Sequence, residues 1–283
     1  MNRGVAMLAT GVLAIAFACS GVEHARRESV VVAGSDTMLV LNRRLAEAFM
    51  ATTPGVLVDV RGGGSGEGVE ALIDGRADLC AASRPLTADE IRRLYERHRS
   101  LGLRFLVAQD ALTVYVHPAN PVHDLTLEEL RRVFSGTARR WSDVGGSALG
   151  IEVVVRPPSS GTHRFFRDHV LGGGEYATGA ATVPTTRGVV RAVASSPAAV
   201  GYGGIAYAAG GAVRPLHVDG AEPTIGTVRS GRYPLARYLQ LYAVEQPRGN
   251  VAAFVDFCLG AAGQAIVAEV GYVPMWPSRA PQM

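Results

Sequence analysis

The stretch that decides the fold is Val30-Val31-Val32-Ala33-Gly34-Ser35-Asp36-Thr37-Met38. A run of small β-forming residues passes through a glycine, two hydroxyl residues and an aspartate. A helical pattern then begins at once, with apolar residues at Leu41, Leu45, Ala48 and Phe49. A buried strand that hands over directly to a helix is the building unit of an α/β sheet. The same corner recurs twice. Gly62-Gly63-Gly64-Ser65-Gly66-Glu67-Gly68 follows a β-rich run, and Ser159-Ser160-Gly161-Thr162 follows another at 151–155. Between the corners the chain alternates. Strands are expected over 30–33, 56–60, 77–82, 112–116, 151–155 and 200–206, with a strand-rich piece at 235–244. Helices are expected over 38–51, 69–73, 87–99, 126–134 and 163–170, and a long one with glycine interruptions over 251–270. Thr87 with Glu90, and Thr126 with Glu129, stand at capping-box spacing. No internal repeat, linker or low-complexity segment divides the chain, so two lobes would be built from interleaved segments.

Composition narrows the chemistry. The 283 residues are enough for about two domains or one bilobed one. Hydrophobic residues make up 48% and charged ones 19%, which argues against a disordered chain. All 28 basic residues are arginine. The absence of lysine removes P-loop nucleotide binding, protein-kinase chemistry and any Schiff-base lysine. The net charge of +3 is spread over residues of both signs, which speaks against nucleic acid as the partner. Three cysteines form no CxxC and seven histidines no HxxxH, so neither a metal site nor a cofactor is implied.

Residues 5–18 are continuously apolar or small, too short for a bilayer span of about 20 residues but suited to a signal-peptide core. Ala16-Phe17-Ala18 fits a small-x-small cleavage pattern, and Cys19 follows it. Cys19 resembles the lipidated cysteine of bacterial lipoproteins, although Ala16 and Phe17 stand where that motif usually has Leu and a small residue. The expectation is a leader at 1–18, a polar tether at 19–29, and an exported protein held at a membrane by lipid on Cys19. Cys80 and Cys258 read as small buried apolar residues.

Each corner exposes helix-start N–H groups that have no partner inside the helix. They open at the carboxyl end of a strand, where open α/β sheets bind ligands. The helix start carries partial positive charge, glycine lets backbone approach closely, and Ser or Thr adds hydroxyl donors. Together these make an anion site out of neutral groups. Any one corner alone reads equally as an ordinary N-cap. Arg156, four residues before Ser160, would add a charge-assisted bond to an oxyanion or form a surface ion pair. Ser65 is not in a G-x-S-x-G elbow, because Glu67 occupies the last position, and no frame of 62–68 satisfies G-x-G-x-x-G. His163 is expected to face solvent or cap its helix.

With these segments in view, the chain resembles the phosphate-binding proteins of bacterial phosphate ABC importers. The matching stretches are AGSDTM (33–38), GGGSGEGVEALIDGRADLCAASRPL (62–86), LTLEELRRVFSGTARRWSDVGG (125–146), RPPSSGTHRFF (156–166), VGYGGIAYA (200–208) and VAAFVDFCLGAAGQAIVAEVGYVPM (251–275). The resemblance implies an α/β, bilobed periplasmic-binding-protein fold of type II, two lobes joined by two crossover segments. Lobe 1 would take 30–110 and 230–283 and lobe 2 111–229, with crossings near 109–112 and 227–235. It also implies binding of inorganic phosphate by Ser35, Asp36, Thr37, Ser65, Ser83, Arg84, Arg156, Ser160, Gly161 and Thr162. The partners implied are a membrane permease and no cofactor, in a monomer. Some members carry a proton-accepting Asp in the motif that here reads Ala82-Ser83-Arg84; with Arg84 there, Asp36 becomes the expected acceptor. The alternatives are another tetrahedral oxyanion or phosphate sensing on the same scaffold, a phosphoester hydrolase using a corner Ser, and a surface adhesion lipoprotein.

Overall fold

The computed structural model describes residues 29–276; the expected leader, Cys19 and all of the tether except Ser29 lie outside the described residues. The strands follow in chain order as β1 (Ser29–Gly34), β2 (Leu57–Arg61), β3 (Leu79–Ala82), β4 (Leu103–Val116), β5 (Asp124–Leu125), β6 (Glu152–Val155), β7 (Ala181–Thr182), β8 (Ala199–Gly204), β9 (Arg214–Pro215), β10 (His217–Val218), β11 (Ala236–Ala243) and β12 (Val273–Pro274). The helices are α1 (Leu39–Thr52), α2 (Ser65–Ile73), α3 (Ala88–His98), α4 (Leu127–Phe134), α5 (Gly161–His169), α6 (Thr186–Ala194), α7 (Ile225–Arg229), α8 (Gly249–Leu259) and α9 (Ala261–Val270).

Ten strands form one curled sheet in the order β2-β1-β3-β11-β4-β8-β6-β7, with β9 and β12 added on β4. β1 pairs in parallel with β2 and β3, and β11 joins β3 antiparallel. β4 is the strand that serves both halves. Its residues Leu103 to Ala111 pair with β11, and Leu112 to Val116 pair with β8. Beyond β8, β6 and β7 are parallel again.

Each half has its own core. Val30, Val32, Leu41, Leu45, Phe49, Leu79 and Leu241 belong to the first, which ends on β4 at Ala108. Leu112, Val114, Phe134, Trp141, Phe166 and Tyr202 belong to the second, which begins on β4 at Ala111. Ile205, just after β8, packs against both. The fold is bilobed.

Local signals account for most element boundaries. Leu41, Leu45 and Phe49 recur every fourth residue and are buried against the sheet. Thr87 Oγ1 accepts the Glu90 N–H at 3.2 Å while the Glu90 carboxylate takes the Thr87 N–H at 2.8 Å. Thr126 and Glu129 repeat this reciprocal cap at 3.2 and 2.9 Å.

Several expectations need correction. The expected helix at 69–73 starts four residues earlier, at Ser65, and only 62–64 turns. The glycines of this run serve close packing: a Cβ on Gly68 would lie 2.5 Å from Gly34 Cα and 2.6 Å from the Ala33 carbonyl oxygen. β4 extends back to Leu103 because Gln109 and Asp110, polar in sequence, lie in the sheet interior or at its junction. α6 was not expected; its buried stripe is Thr186, Val189 and Val193, of which only the two valines are apolar. The long C-terminal helix is two, bent by 59° at Gly260. The strand expected to reach residue 206 ends at Gly204 in a 3-10 turn, Ile205–Tyr207.

The Gly34–Gly68 contact yields a test. Gly68→Ala would gain helix propensity of about 1 kcal/mol, but the clash with the end of β1 outweighs it. A net loss of about 1–3 kcal/mol is expected in urea unfolding. An unchanged or higher midpoint would show that β1 and α2 can move apart freely.

Candidate functional site

The carboxyl ends of β1 and β3 from one lobe meet the carboxyl end of β6 from the other. At the first corner, the Ser35 N–H donates to the Ala81 carbonyl at 2.8 Å, which fixes the turn out of β1. The Tyr207 and Tyr272 hydroxyls donate to the carbonyls of Asp36 and Thr37, each at 2.7 Å, and hold the next two residues. Ser35, Asp36 and Thr37 are all buried.

At the second corner, the Gly64 N–H donates to the Gly34 carbonyl at 3.0 Å and ties it to the first. Ser65 opens α2, and its Oγ accepts the Ser83 N–H at 3.1 Å and lies 3.4 Å from Ser83 Oγ. At the third corner, Ser160 caps α5 through its Oγ, which accepts the His163 N–H at 3.4 Å. Gly161 and Thr162 then present the first helix-start amides.

Contacts across the lobes draw the corners together. The Gly66 N–H donates to the Ser159 carbonyl at 3.0 Å. The hydroxyls of Thr37 and Thr162 share a hydrogen bond of 2.8 Å. A Cβ on Gly161 would lie 2.2 Å from Ser65 Oγ and 2.7 Å from Ser83 Oγ, so only glycine fits between those two hydroxyls. Two helix starts, four hydroxyl side chains and the backbone of Gly161 therefore face one another.

Charge enters from two arginines. Arg156, 1% exposed, leaves the end of β6 and donates through Nη1 to Asp36 Oδ2 at 3.1 Å and to Thr186 Oγ1 at 2.8 Å. Its Nη2 donates to the Pro184 carbonyl at 2.9 Å, and its Nε is buried with no protein partner. The Thr186 N–H also donates to Asp36 Oδ2, at 2.7 Å. Burial pushes the Arg156 guanidinium down from its ordinary value, against the pull of the Asp36 carboxylate. Asp36 thus sits on one lobe while the groups that hold it sit on the other.

The second arginine is Arg237 on β11. Its Nε and Nη2 donate to Asp110 Oδ2 at 3.0 and 2.8 Å, and its Nη1 donates to Thr162 Oγ1 at 3.1 Å. Nothing in the corner motifs points to Arg237, Asp110 or Thr186. The available signal was a charged residue inside an apolar strand, Arg237 in ARYLQLYA and Asp110 in LRFLVAQDALTVYV, because a charge in such a place must be paired.

Arg84 is placed differently from the other expected residues. Its two terminal nitrogens grip the Glu90 carboxylate at 2.7 and 2.6 Å, and Nη1 also reaches the Pro85 carbonyl. Burial works against the charge on Glu90, but the Arg84 fork and the Thr87 amide overcome it and hold the carboxyl below its ordinary value. The guanidinium thus braces the α3 cap, while the neighbouring Ser83 faces the corners. His163 neither faces solvent nor caps with its ring, which is half-buried and lies 4.5 Å from the Tyr176 ring. Cys80 and Cys258 are both fully buried, and burial pushes both thiols up.

Comparison with known proteins gives the same assignment from an independent direction. The family model of the PBP superfamily domain matches residues 21–262. The phosphate-binding protein PstS of Bacillus subtilis is 30% identical over 248 residues, covering 87% of this chain and 81% of that protein. The crystal structure of a Clostridium perfringens protein, described as a phosphate ABC transporter substrate-binding protein with bound phosphate, superposes with a TM-score of 0.81. The two are 26% identical, with 88% of this chain and all of that one covered. An ABC-type phosphate transport receptor from Vibrio cholerae superposes with a TM-score of 0.73 at 28% identity, covering 88% of this chain and all of the other. With its bilobed sheet and its three corners meeting between the lobes, the chain belongs to the PBP superfamily and, within it, to the family of PstS phosphate-binding proteins.

Proposed function

We propose that the chain binds inorganic phosphate between its lobes, outside the cytoplasm, and delivers it to the permease of an ABC importer. The observation that carries this reading is the convergence of three strand-to-helix corners from both lobes, with a buried guanidinium, on a fold whose Clostridium perfringens relative holds phosphate. Lobe 1 is assigned to 30–110 and 230–283 and lobe 2 to 111–229. Cys19 is assigned as the lipid attachment point, and the protein acts as a monomer.

The proposed ligand contacts are Ser35, Asp36, Thr37, Ser65, Ser83, Arg156, Ser160, Gly161 and Thr162. Arg84 contributes by bracing the loop that presents Ser83. Amides and hydroxyls hold the ligand oxygens, and each charge-assisted bond contributes about 1.5–3 kcal/mol. Such donors would hold sulfate equally. Hydrogen phosphate differs in carrying a proton, so one fixed carboxylate facing it supplies the discrimination. What supports Asp36 in this role is that its Oδ2 is occupied by Arg156 and Thr186 while Oδ1 accepts no hydrogen bond among the described residues. Sulfate would leave Oδ1 of that carboxylate without a donor and facing a like charge in a dry site, a mismatch of about 10⁴-fold or more. Closure of the lobes excludes water and strengthens each contact. No bond is made or broken in this function.

Titration of the refolded, phosphate-stripped chain by calorimetry tests the reading, and no heat with phosphate would end it. Competition with arsenate, sulfate and molybdate ranks the oxyanions, and a chromogenic phosphoester checks for hydrolysis, which is expected to be absent. Asp36→Asn is expected to weaken phosphate binding with the fold intact; wild-type affinity in this variant would place the proton acceptor elsewhere. Arg156→Ala and Ser160→Ala should each lose about tenfold or more in affinity. Unchanged dissociation constants in both would remove the assigned site.

A further inference from the structure

Asp110 and Arg237 lie opposite each other in the β4–β11 register, one residue before the point where β4 leaves β11 for β8. They are 127 residues apart in sequence and almost wholly enclosed, with side chains 0% and 2% exposed. The Asp110 carboxylate is fully used. Oδ2 takes the side-on fork of Arg237, and Oδ1 accepts the N–H of Ile205 at 3.1 Å, on the segment that packs against both cores.

That leaves Nη1 of Arg237 as its only terminal nitrogen not spent on Asp110. It reaches Thr162 Oγ1 on one lobe at 3.1 Å and the Ser83 carbonyl on the other at 3.5 Å. The guanidinium also lies 5.6 Å from the ring of Phe165, one turn into α5. A buried ion pair gives little net stability compared with apolar side chains of the same volume, so its presence here calls for another role. Arg156 has already spent both Nη1 hydrogens and one of Nη2 on protein groups. Its Nε and one Nη2 hydrogen remain for a ligand, and Arg237 brings the other positive charge to the same gap.

We infer that Arg237 is a second guanidinium of the anion site, and that Asp110 is its positioning residue, aiming it from the strand crossing at the gap between Thr162 and Ser83. The inference rests on the phosphate reading above. It adds that the charge meeting the ligand is mounted on the crossing strands themselves. A ligand held there is tied at once to both lobes and to the segment between them.

The test is phosphate calorimetry on wild type, Arg237→Gln, Arg237→Lys, Asp110→Asn and the double variant Asp110→Asn/Arg237→Gln, with melting curves for each. Arg237→Gln should lose about tenfold or more in affinity. Arg237→Lys should not recover it, because a lysine cannot fork to Asp110 and reach Thr162 together. Asp110→Asn should weaken binding in the wild-type background and add nothing in the Arg237→Gln background, since it acts through that arginine. Additive losses would overturn the positioning role, and wild-type affinity in Arg237→Gln would overturn the inference while leaving the phosphate reading intact. Failure of wild type to bind phosphate would remove both. Should the variants not fold, a crystal structure of wild type with phosphate decides: Nη1 of Arg237 within hydrogen-bond distance of a phosphate oxygen supports the inference, and a separation beyond that distance overturns it.

Discussion

The antiparallel pairing of β4 with β11 governs the rest of the molecule. β4 changes partner midway, from β11 to β8, and its two ends lie in different cores. With both lobes built outward from it, the carboxyl ends of β1, β3 and β6 open toward the same space. Corners separated by roughly a hundred residues in the chain can then share hydrogen bonds, as Thr37 and Thr162 do. Ile205 and the 3-10 turn it starts pack into both lobes at that junction, so a change of angle between the lobes is felt by the corners.

The second constraint is electrostatic. Burying a charge is costly unless it is paired and hydrogen-bonded. Among the described residues, each of the three enclosed arginines has its own carboxylate: Arg156 has Asp36, Arg237 has Asp110, and Arg84 has Glu90. The pairings differ in what they leave over. Arg84 spends both terminal nitrogens within its own lobe and becomes part of a helix cap. Arg156 holds its carboxylate across the lobes and keeps Nε without a protein partner, and Arg237 holds its own while Nη1 reaches Thr162. The same residue type is therefore a brace in one place and, in the site proposed above, a source of ligand charge in the others. The difference lies in where the partner carboxylate stands.

Much of this was legible before any coordinates. The corners at 34–37, 62–68 and 159–162, and the two capping boxes, depend on residues within a few positions of one another, and local rules read them directly. The same rules misjudged the start of α2, because glycine usually ends a helix. Gly68 is there instead to let α2 touch the backbone of β1, a contact that only the packed structure contains. They also missed α6, whose buried stripe has just two apolar residues, Val189 and Val193, beside Thr186, and shortened β4, whose Asp110 looks like a surface residue until Arg237 is placed beside it.

The sequence by itself determined the α/β alternation and the three strand-to-helix corners, because each follows from residue types at short spacing, and its motifs carried the family resemblance. Only the tertiary structure decided which arginines stand between the lobes and which does not. That outcome turns on the register between strands far apart in the chain, and on which carboxylate each guanidinium meets in the folded protein.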